Sequence, residues 1–281
     1  MVNFAYVALA LFGAIFGSFA SALIPRLKEG RSMSKERSAC PACDHTLGVL
    51  DLFPILSFAL LRGKCRHCGA KIPAYHFLLE CLMCAVFVLS GMYHVDMSAI
   101  LLGDTIEAIR LAIFLVSGFV AVTFTVYDIL YMEIPDAVIL PCIAGLFILL
   151  SIDHFSSISL FSHYLPFATE WMNLPLANAL MGAAIIFGFF FLQIVVSNGT
   201  WMGGGDLRIA IFMGLLAGTK IALLGLFAAY IIGSIIGVGI IAVKRSRNIQ
   251  VPFGPYLAAG LYVALFFHVE ILNWYFGLLH I

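Results

Sequence analysis

This chain predicts an all-α polytopic membrane protein of about eight transmembrane helices, with a small cytoplasmic zinc-binding domain between the first and second. Three observations carry that fold class. The 281 residues are 63% hydrophobic and only 11% charged, and a mean hydropathy of +1.07 is too high for a soluble domain. Apolar stretches approaching the roughly 20 residues that cross a bilayer recur along the whole length. Four of the seven cysteines stand as two Cys-x-x-Cys pairs in the one strongly charged region. A formal net charge of zero argues against a nucleic-acid binder, which needs a basic excess to neutralise phosphates.

The segments expected to span are Phe4-Pro25, Ala74-Val95, Ala108-Tyr127, Ala137-Ile152, Leu176-Val196, Leu207-Gly218, Ile221-Val243 and Pro255-Gly277. The fourth and sixth are short. No basic stretch precedes the first, which therefore reads as a retained span and not a cleaved signal. The chain divides into a first helix over 1–25, a cysteine module over 26–73 and a membrane body of about seven helices over 74–281. The connection from Asp153 to Pro175 carries Phe155, Leu160, Phe161, Tyr164, Phe167 and Trp171 among Ser, His and Glu, a composition suited to the headgroup level.

Basic residues near span ends stay cytoplasmic. With alternating loops, the nine basic residues from Arg26 to Lys71 share one face with Arg208, Lys244, Arg245 and Arg247, and only Arg110 and Lys220 lie opposite. The N-terminus is then outside. The same alternation puts Asp128 and Asp206 together at the cytoplasmic face.

Cys40-Pro41-Ala42-Cys43 and Cys65-Arg66-His67-Cys68 are separated by 21 residues. Two such turns can place four thiolates tetrahedrally around zinc, and Gly69 suits the tight turn after the second pair. Four cysteines close the coordination shell and leave no position for water, so the metal is expected to be structural. His45 and His67 are alternative ligands. Cys81, Cys84 and Cys142 lie within apolar spans and read as small packing residues.

Ionisable groups inside spans are rare and usually functional, which singles out Asp128, Asp206, Glu80 and Glu270. Gly203-Gly204-Gly205 delivers Asp206 to the start of an apolar segment, and such a run permits close backbone approach and conformations closed to other residues. Asp128 ends another apolar stretch and opens Asp-Ile-Leu-Tyr-Met-Glu-Ile-Pro-Asp. A helix-capping role for Asp206 and a loop position for Asp128 are the structural alternatives. A proton- or cation-coupled transporter would use the same aspartates but gives the cysteine module no role.

Gly203-Gly204-Gly205-Asp206, Asp128 followed by Ile134-Pro135-Asp136, and four cysteines after the first span resemble the bacterial type IV prepilin peptidases. Gly17-Ser18-Phe19 with Arg26, Arg62-Gly63-Lys64-Cys65-Arg66-x-Cys68, and Pro252-Phe253-Gly254-Pro255 add to the likeness, which runs in order from about Gly17 to Gly260. The resemblance implies an eight-span aspartic protease of the bacterial cytoplasmic (inner) membrane that removes the short leader of prepilins or pseudopilins. It implies Asp128 and Asp206 as catalytic carboxylates, with Gly203, Gly204, Gly205 and Arg208 forming the supporting loop. Relatives with the cysteine module also methylate the new N-terminus with S-adenosylmethionine. Two asparagines usual in the family are Ser21 and Leu52 here, so the resemblance reaches the protease more directly than the methyl transfer. The lysine that usually follows the Gly-x-Gly-Asp motif is Arg208.

Two carboxylates close together in a low dielectric share one proton. Asp206 is expected at a helix N-terminus and Asp128 after a helix C-terminus, so the dipoles would make Asp206 the ionised base and Asp128 the acid.

Overall fold

The computed structural model describes residues 2–31, 38–166, 169–244 and 250–278. Lys35, Glu36, Arg37, Phe167, Arg245 and Arg247 lie outside the described residues, as does the side chain of Trp171. The described chain is helical, and its β pairing is confined to the isolated bridges Ala39↔Thr46 and Lys64↔Lys71. In order the helices are α1 (Val2–Glu29), α2 (Leu56–Leu60), α3 (Ala74–Tyr93), α4 (Met97–Leu101), α5 (Thr105–Tyr131), α6 (Asp136–Ser156), α7 (Pro175–Ser197), α8 (Gly204–Lys244) and α9 (Gly254–Leu278). They form two compact units, Met1–Val126 and Tyr127–Ile281.

Among the described residues seven helices are long and apolar enough to cross a membrane: α1, α3 and α5 to α9. One of them holds two of the expected spans. Helix α8 has 41 residues, about 60 Å at 1.5 Å per residue and twice the hydrocarbon thickness. Its backbone breaks at Gly218, where φ is 67° and ψ 174°. A left-handed φ of this kind is cheap only for glycine. The break separates Leu207-Gly218 from Ile221-Val243, the sixth and seventh segments read from sequence.

Breaking a helix inside a membrane frees backbone groups that must find partners in the protein. The Thr219 amide donates to Asn178 Oδ1 at 2.8 Å and the Thr219 hydroxyl to the Asn178 carbonyl at 2.7 Å. On the other side of Gly218, the Tyr164 hydroxyl donates to the Leu215 carbonyl and His163 Nε2 to that of Leu216 at 2.8 Å. The loop supplying these side chains is itself anchored by Asp153, 1% exposed, which accepts from the amides of Leu160 (2.9 Å) and Phe161 (3.2 Å). The connection after α6 thus props the kink in α8, a role its aromatic composition did not announce.

Small residues set the helix spacing, as expected where no hydrophobic force acts between helices. In the first unit a Cβ placed at Gly13 or Gly17 of α1 would lie 2.8 Å from Cys84 Cα and 2.6 Å from Glu80 Cα of α3. In the second, Gly182 of α7 faces Thr219 at 2.9 Å and Gly225 of α8 faces Leu261 of α9 at 3.0 Å by the same measure. Helix α8 is therefore clasped between α7 and α9. Its N-terminal end is held where the glycine run meets the α5–α6 turn.

Candidate active site

Asp128 lies within the last turn of α5, not beyond its end, and Asp206 in the first turn of α8. Both are buried, at 7% and 9% exposure. The two carboxylates line one cavity of about 780 Å³, and Asp206 is close enough to interact electrostatically with Asp128. The walls come from the α5–α6 turn (Met132, Glu133, Ile134), the loop from Gly199 to Gly205, and the strap before α9 (Val251, Pro252, Phe253). The volume falls within the range of natural ligand sites.

Each aspartate meets the start of a helix. The Asp206 amide donates to the Gly203 carbonyl at 3.2 Å, tightening the turn that begins α8. Asp128 Oδ2 accepts from the Gly254 amide at 2.9 Å, and Gly254 is the first residue of α9. The N-terminus of α9 therefore acts on Asp128 much as that of α8 acts on Asp206. That contact offsets the dipole contrast expected from sequence, so helix polarity alone does not assign acid and base.

The glycines divide by job. A Cβ at Gly254 would lie 2.6 Å from Asp128 Oδ2, so the amide reaches the carboxylate only because this residue has no side chain. At Gly205 a Cβ would lie 2.7 Å from Ile134 Cγ1, whereas Gly204 has open space around it. Gly203, Gly204 and Gly205 all lack the left-handed backbone. The run thus supplies close approach at Gly205 and room at Gly204, and the unusual conformation expected of it is not used.

Arg208, one turn along α8, places Nε 3.0 Å from Asp136 Oδ1 at the start of α6. Both side chains are more than a third exposed, so the pair aligns two helix ends with little energy, about 0.2–1 kcal/mol. Sequence reading did not identify Gly254 or its supports as site residues. Phe253 packs its ring against Tyr230 (5.3 Å between centroids), Tyr256 (6.2 Å) and Phe190 (6.3 Å). The Tyr230 hydroxyl is held by Gln193 Nε2 at 3.0 Å. This cluster fixes the strap that aims the Gly254 amide. The available signal was the Pro252-Phe253-Gly254-Pro255 motif.

The cysteine module lies in the first unit. The sulfurs of Cys40, Cys43, Cys65 and Cys68 lie within 4.8 Å of one another, and Cys40 and Cys68 are 3.9 Å apart. Tetrahedral zinc with Zn–S near 2.3 Å requires sulfurs about 3.8 Å apart. The donors therefore fit a closed four-thiolate site. Each pair is folded by the same knuckle: the Asp44 amide returns to the Cys40 carbonyl at 2.9 Å and the Gly69 amide to that of Cys65 at 3.0 Å. Asp44 and Gly69 have φ of 51° and 72°, as the turn after each pair requires. His45 and His67 meet as a tilted ring pair with centroids 3.5 Å apart and stand outside the four-sulfur cluster. Asp51 ties the intervening segment down, accepting from Arg66 Nε at 2.8 Å and the Gly48 amide at 3.1 Å. The Arg66 guanidinium, aided by that amide, holds the Asp51 carboxyl below its ordinary pKa.

Glu80 is buried on α3 and accepts from the Ile55 amide at 2.7 Å, a structural use. Glu270 is exposed near the end of α9. Ser21 donates its hydroxyl to the Ser18 carbonyl within α1, and Leu52 is 42% exposed.

Two family models match the chain: the bacterial peptidase A24 N-terminal domain over residues 11–94 and the type IV leader peptidase family over residues 113–238. The first covers the cysteine module and the second covers Asp128 and Asp206. Among curated proteins, a prepilin leader peptidase/N-methyltransferase of Bacillus subtilis is 29% identical over 95% of this chain and 96% of its own length. Proteins of the same name from Burkholderia pseudomallei and Pseudomonas aeruginosa are 30% and 28% identical, over 82% and 85% of this chain and 67% and 74% of theirs. No solved structure matches significantly.

Proposed function

Because this chain belongs to the type IV leader peptidase family, we propose that Asp128 and Asp206 are the catalytic pair of a membrane aspartic endopeptidase. Its substrates are type IV prepilins or pseudopilin precursors. The observation that carries this reading is two buried carboxylates facing one cavity, each at a helix start. The matched proteins lend the transporter alternative no support.

One carboxylate takes a proton from water as the oxygen attacks the scissile carbonyl, and the other, protonated, donates to the developing oxyanion. The proton gained by the base then passes to the leaving amine, and no covalent enzyme intermediate forms. The carboxylates share one proton because two charges so close in a low dielectric cannot both be borne. A peptide must enter extended, since helix backbone is closed by its own hydrogen bonds. The junction between a short leader and an apolar helix meets that condition.

The site opens on the cytoplasmic face of the bacterial inner membrane, with the N-terminus outside. Lys and Arg placement supports this side, and the geometry of the second unit supports a shared one: Asp128, Asp206 and the α6 start lie at one end of α8's first half, and the 153–166 loop props the other. The four cysteines hold a structural zinc ion that folds the module over 26–73. Zinc supplies no chemistry to hydrolysis in this reading, because four thiolates fill its shell. S-adenosylmethionine would serve only a separate methyl transfer. With Ser21 committed to the α1 backbone and Leu52 apolar, neither provides the side-chain amide that the family usually carries.

Purified full-length protein in detergent or vesicles should release the leader from a prepilin-type precursor. Asp128→Asn and Asp206→Asn should each lower the cleavage rate about 10²–10⁴-fold while retaining metal. Product mass with and without S-adenosylmethionine reads methylation in the same assay. Undiminished cleavage by both variants would overturn the catalytic assignment.

A further inference from the structure

Between the two cysteine knuckles runs Leu47-Gly48-Val49-Leu50-Asp51-Leu52-Phe53-Pro54-Ile55-Leu56-Ser57-Phe58-Ala59-Leu60-Leu61. It is too short to cross a bilayer and lies in the loop that composition marks as hydrophilic. Its large apolar side chains are nevertheless turned outward: Val49 is 82% exposed, Leu50 72%, Phe53 50%, Leu56 54% and Leu60 81%. Contiguous exposure of this kind marks an interaction surface.

The segment is fastened to a membrane helix at a definite depth. Ile55, with φ of 62°, directs its amide to Glu80 on α3 at 2.7 Å. Phe58 of α2 stacks on Phe77 of α3, with centroids 5.1 Å apart and planes 22° apart. Helix α3 begins at Ala74 and has 20 residues, about 30 Å, just the hydrocarbon thickness. Phe77 and Glu80 lie about 5 and 9 Å along it, at the edge of the apolar layer. The same turns of α3 expose Leu78 (57%) and Leu82 (46%), so apolar side chains of the span stand open at the depth where the segment is held.

Charge agrees with that placement. Asp51 is the only acidic residue from 49 to 61, and Arg66 and the Gly48 amide engage it. Arg62 and Lys64 follow directly, positioned to reach headgroups while their stems lie along apolar surface.

We propose that residues 49–60 form an interfacial finger dipping into the acyl–headgroup boundary of the bilayer, with the two cysteine knuckles clamping its ends. The cysteine module is then not a freely soluble loop; it is seated on lipid at the end of α3. Peripheral helices that bury one apolar face at this depth use the same pattern of exposed Leu and Phe bordered by Lys and Arg.

Leu60→Trp tests this in the full chain, reconstituted in phosphatidylcholine–phosphatidylglycerol vesicles and read as difference emission from the parent with its native tryptophans. The expected result is blue-shifted added emission, quenched by phospholipid brominated near the headgroup and resistant to aqueous iodide. Thr46→Trp, on the exposed first knuckle, should show the reverse. Because tryptophan can disturb folding, a photoreactive leucine analogue at position 60 gives an independent readout, an adduct of phospholipid mass after illumination. Emission quenched by iodide alone, emission reached by neither quencher, or adducts confined to this chain or a second copy would overturn the proposal.

Discussion

The cysteine cluster and the aspartate cavity each gather groups that repel one another when ionised, yet they are built in opposite ways. Around the cysteines everything turns inward: four sulfurs within 4.8 Å, two matched knuckles and no place for a fifth ligand. At the aspartate cavity the Gly254 amide steadies the Asp128 carboxylate without itself lining the space of about 780 Å³ that both carboxylates share. A closed shell can spend all its donors on one ion and contribute folding energy. A reactive pair must keep one side free for substrate, and the support seen at Asp128 is a backbone amide at a helix start, which cannot compete for protons. Damage to the two regions should therefore differ in kind.

The largest effect beyond the aspartates themselves is expected at Gly254. In Gly254→Ala the new Cβ would fall 2.6 Å from Asp128 Oδ2, so either the carboxylate or the start of α9 must shift. Displacements of this size at a reacting centre cost about 10²-fold in rate. Cleavage kinetics should show that loss in kcat with bound metal unchanged. A variant of full activity would mean that the amide of Gly254 is not a support for Asp128.

Cys65→Ser should do the converse. Metal analysis should show loss of the ion, and limited proteolysis should show a loosened segment from 38 to 73. Leader cleavage should fall by less than in Gly254→Ala, because no cysteine lines the aspartate cavity. Loss of cleavage as complete as in the aspartate variants, in protein that still inserts, would join the two regions into one machine and dissolve the contrast.

Adjacent glycines sharpen the comparison further. Gly205→Ala would set a methyl 2.7 Å from Ile134 Cγ1, whereas Gly204→Ala would enter open space. Overpacking of that order costs about 1–3 kcal/mol. Thermal unfolding and cleavage should therefore both suffer in Gly205→Ala and barely change in Gly204→Ala. Equal sensitivity would indicate that the run serves a moving backbone more than a tight contact.

Local chemistry explains what could be read from residues alone. Asp206 is announced by the glycines before it, the metal centre by two pairs at knuckle spacing, and the spans by apolar runs. Even the break in α8 left a trace, as the short segment Leu207-Gly218 set apart from Ile221-Val243. The Gly254–Asp128 bond left none of that kind, since the donor is a backbone amide 126 residues away and nearly any residue type carries one. Asp153, His163 and Tyr164 were opaque because their partners are an amide pair and carbonyls freed by a distant kink. The dipole expectation for the aspartates could not include the start of α9 for the same reason: it reaches Asp128 in addition to the helix that carries it.

The smallest expected effect is at Arg208, and it separates positioning from chemistry. Its contact with Asp136 joins the starts of α8 and α6 through two partly exposed side chains. Such pairs contribute about 0.2–1 kcal/mol, so Arg208→Ala should slow cleavage by less than roughly sixfold if alignment is its whole role. A double-mutant cycle with Asp136→Asn then gives a coupling energy matching the single-variant loss, and the deficit shrinks as salt rises. Arg208 also lines the cavity. If it instead holds the peptide directly, the loss would fall in KM, exceed that bound and persist in the Asp136→Asn background. The first outcome leaves Arg208 as an aligner of two helix starts; the second makes it a cation that faces the substrate.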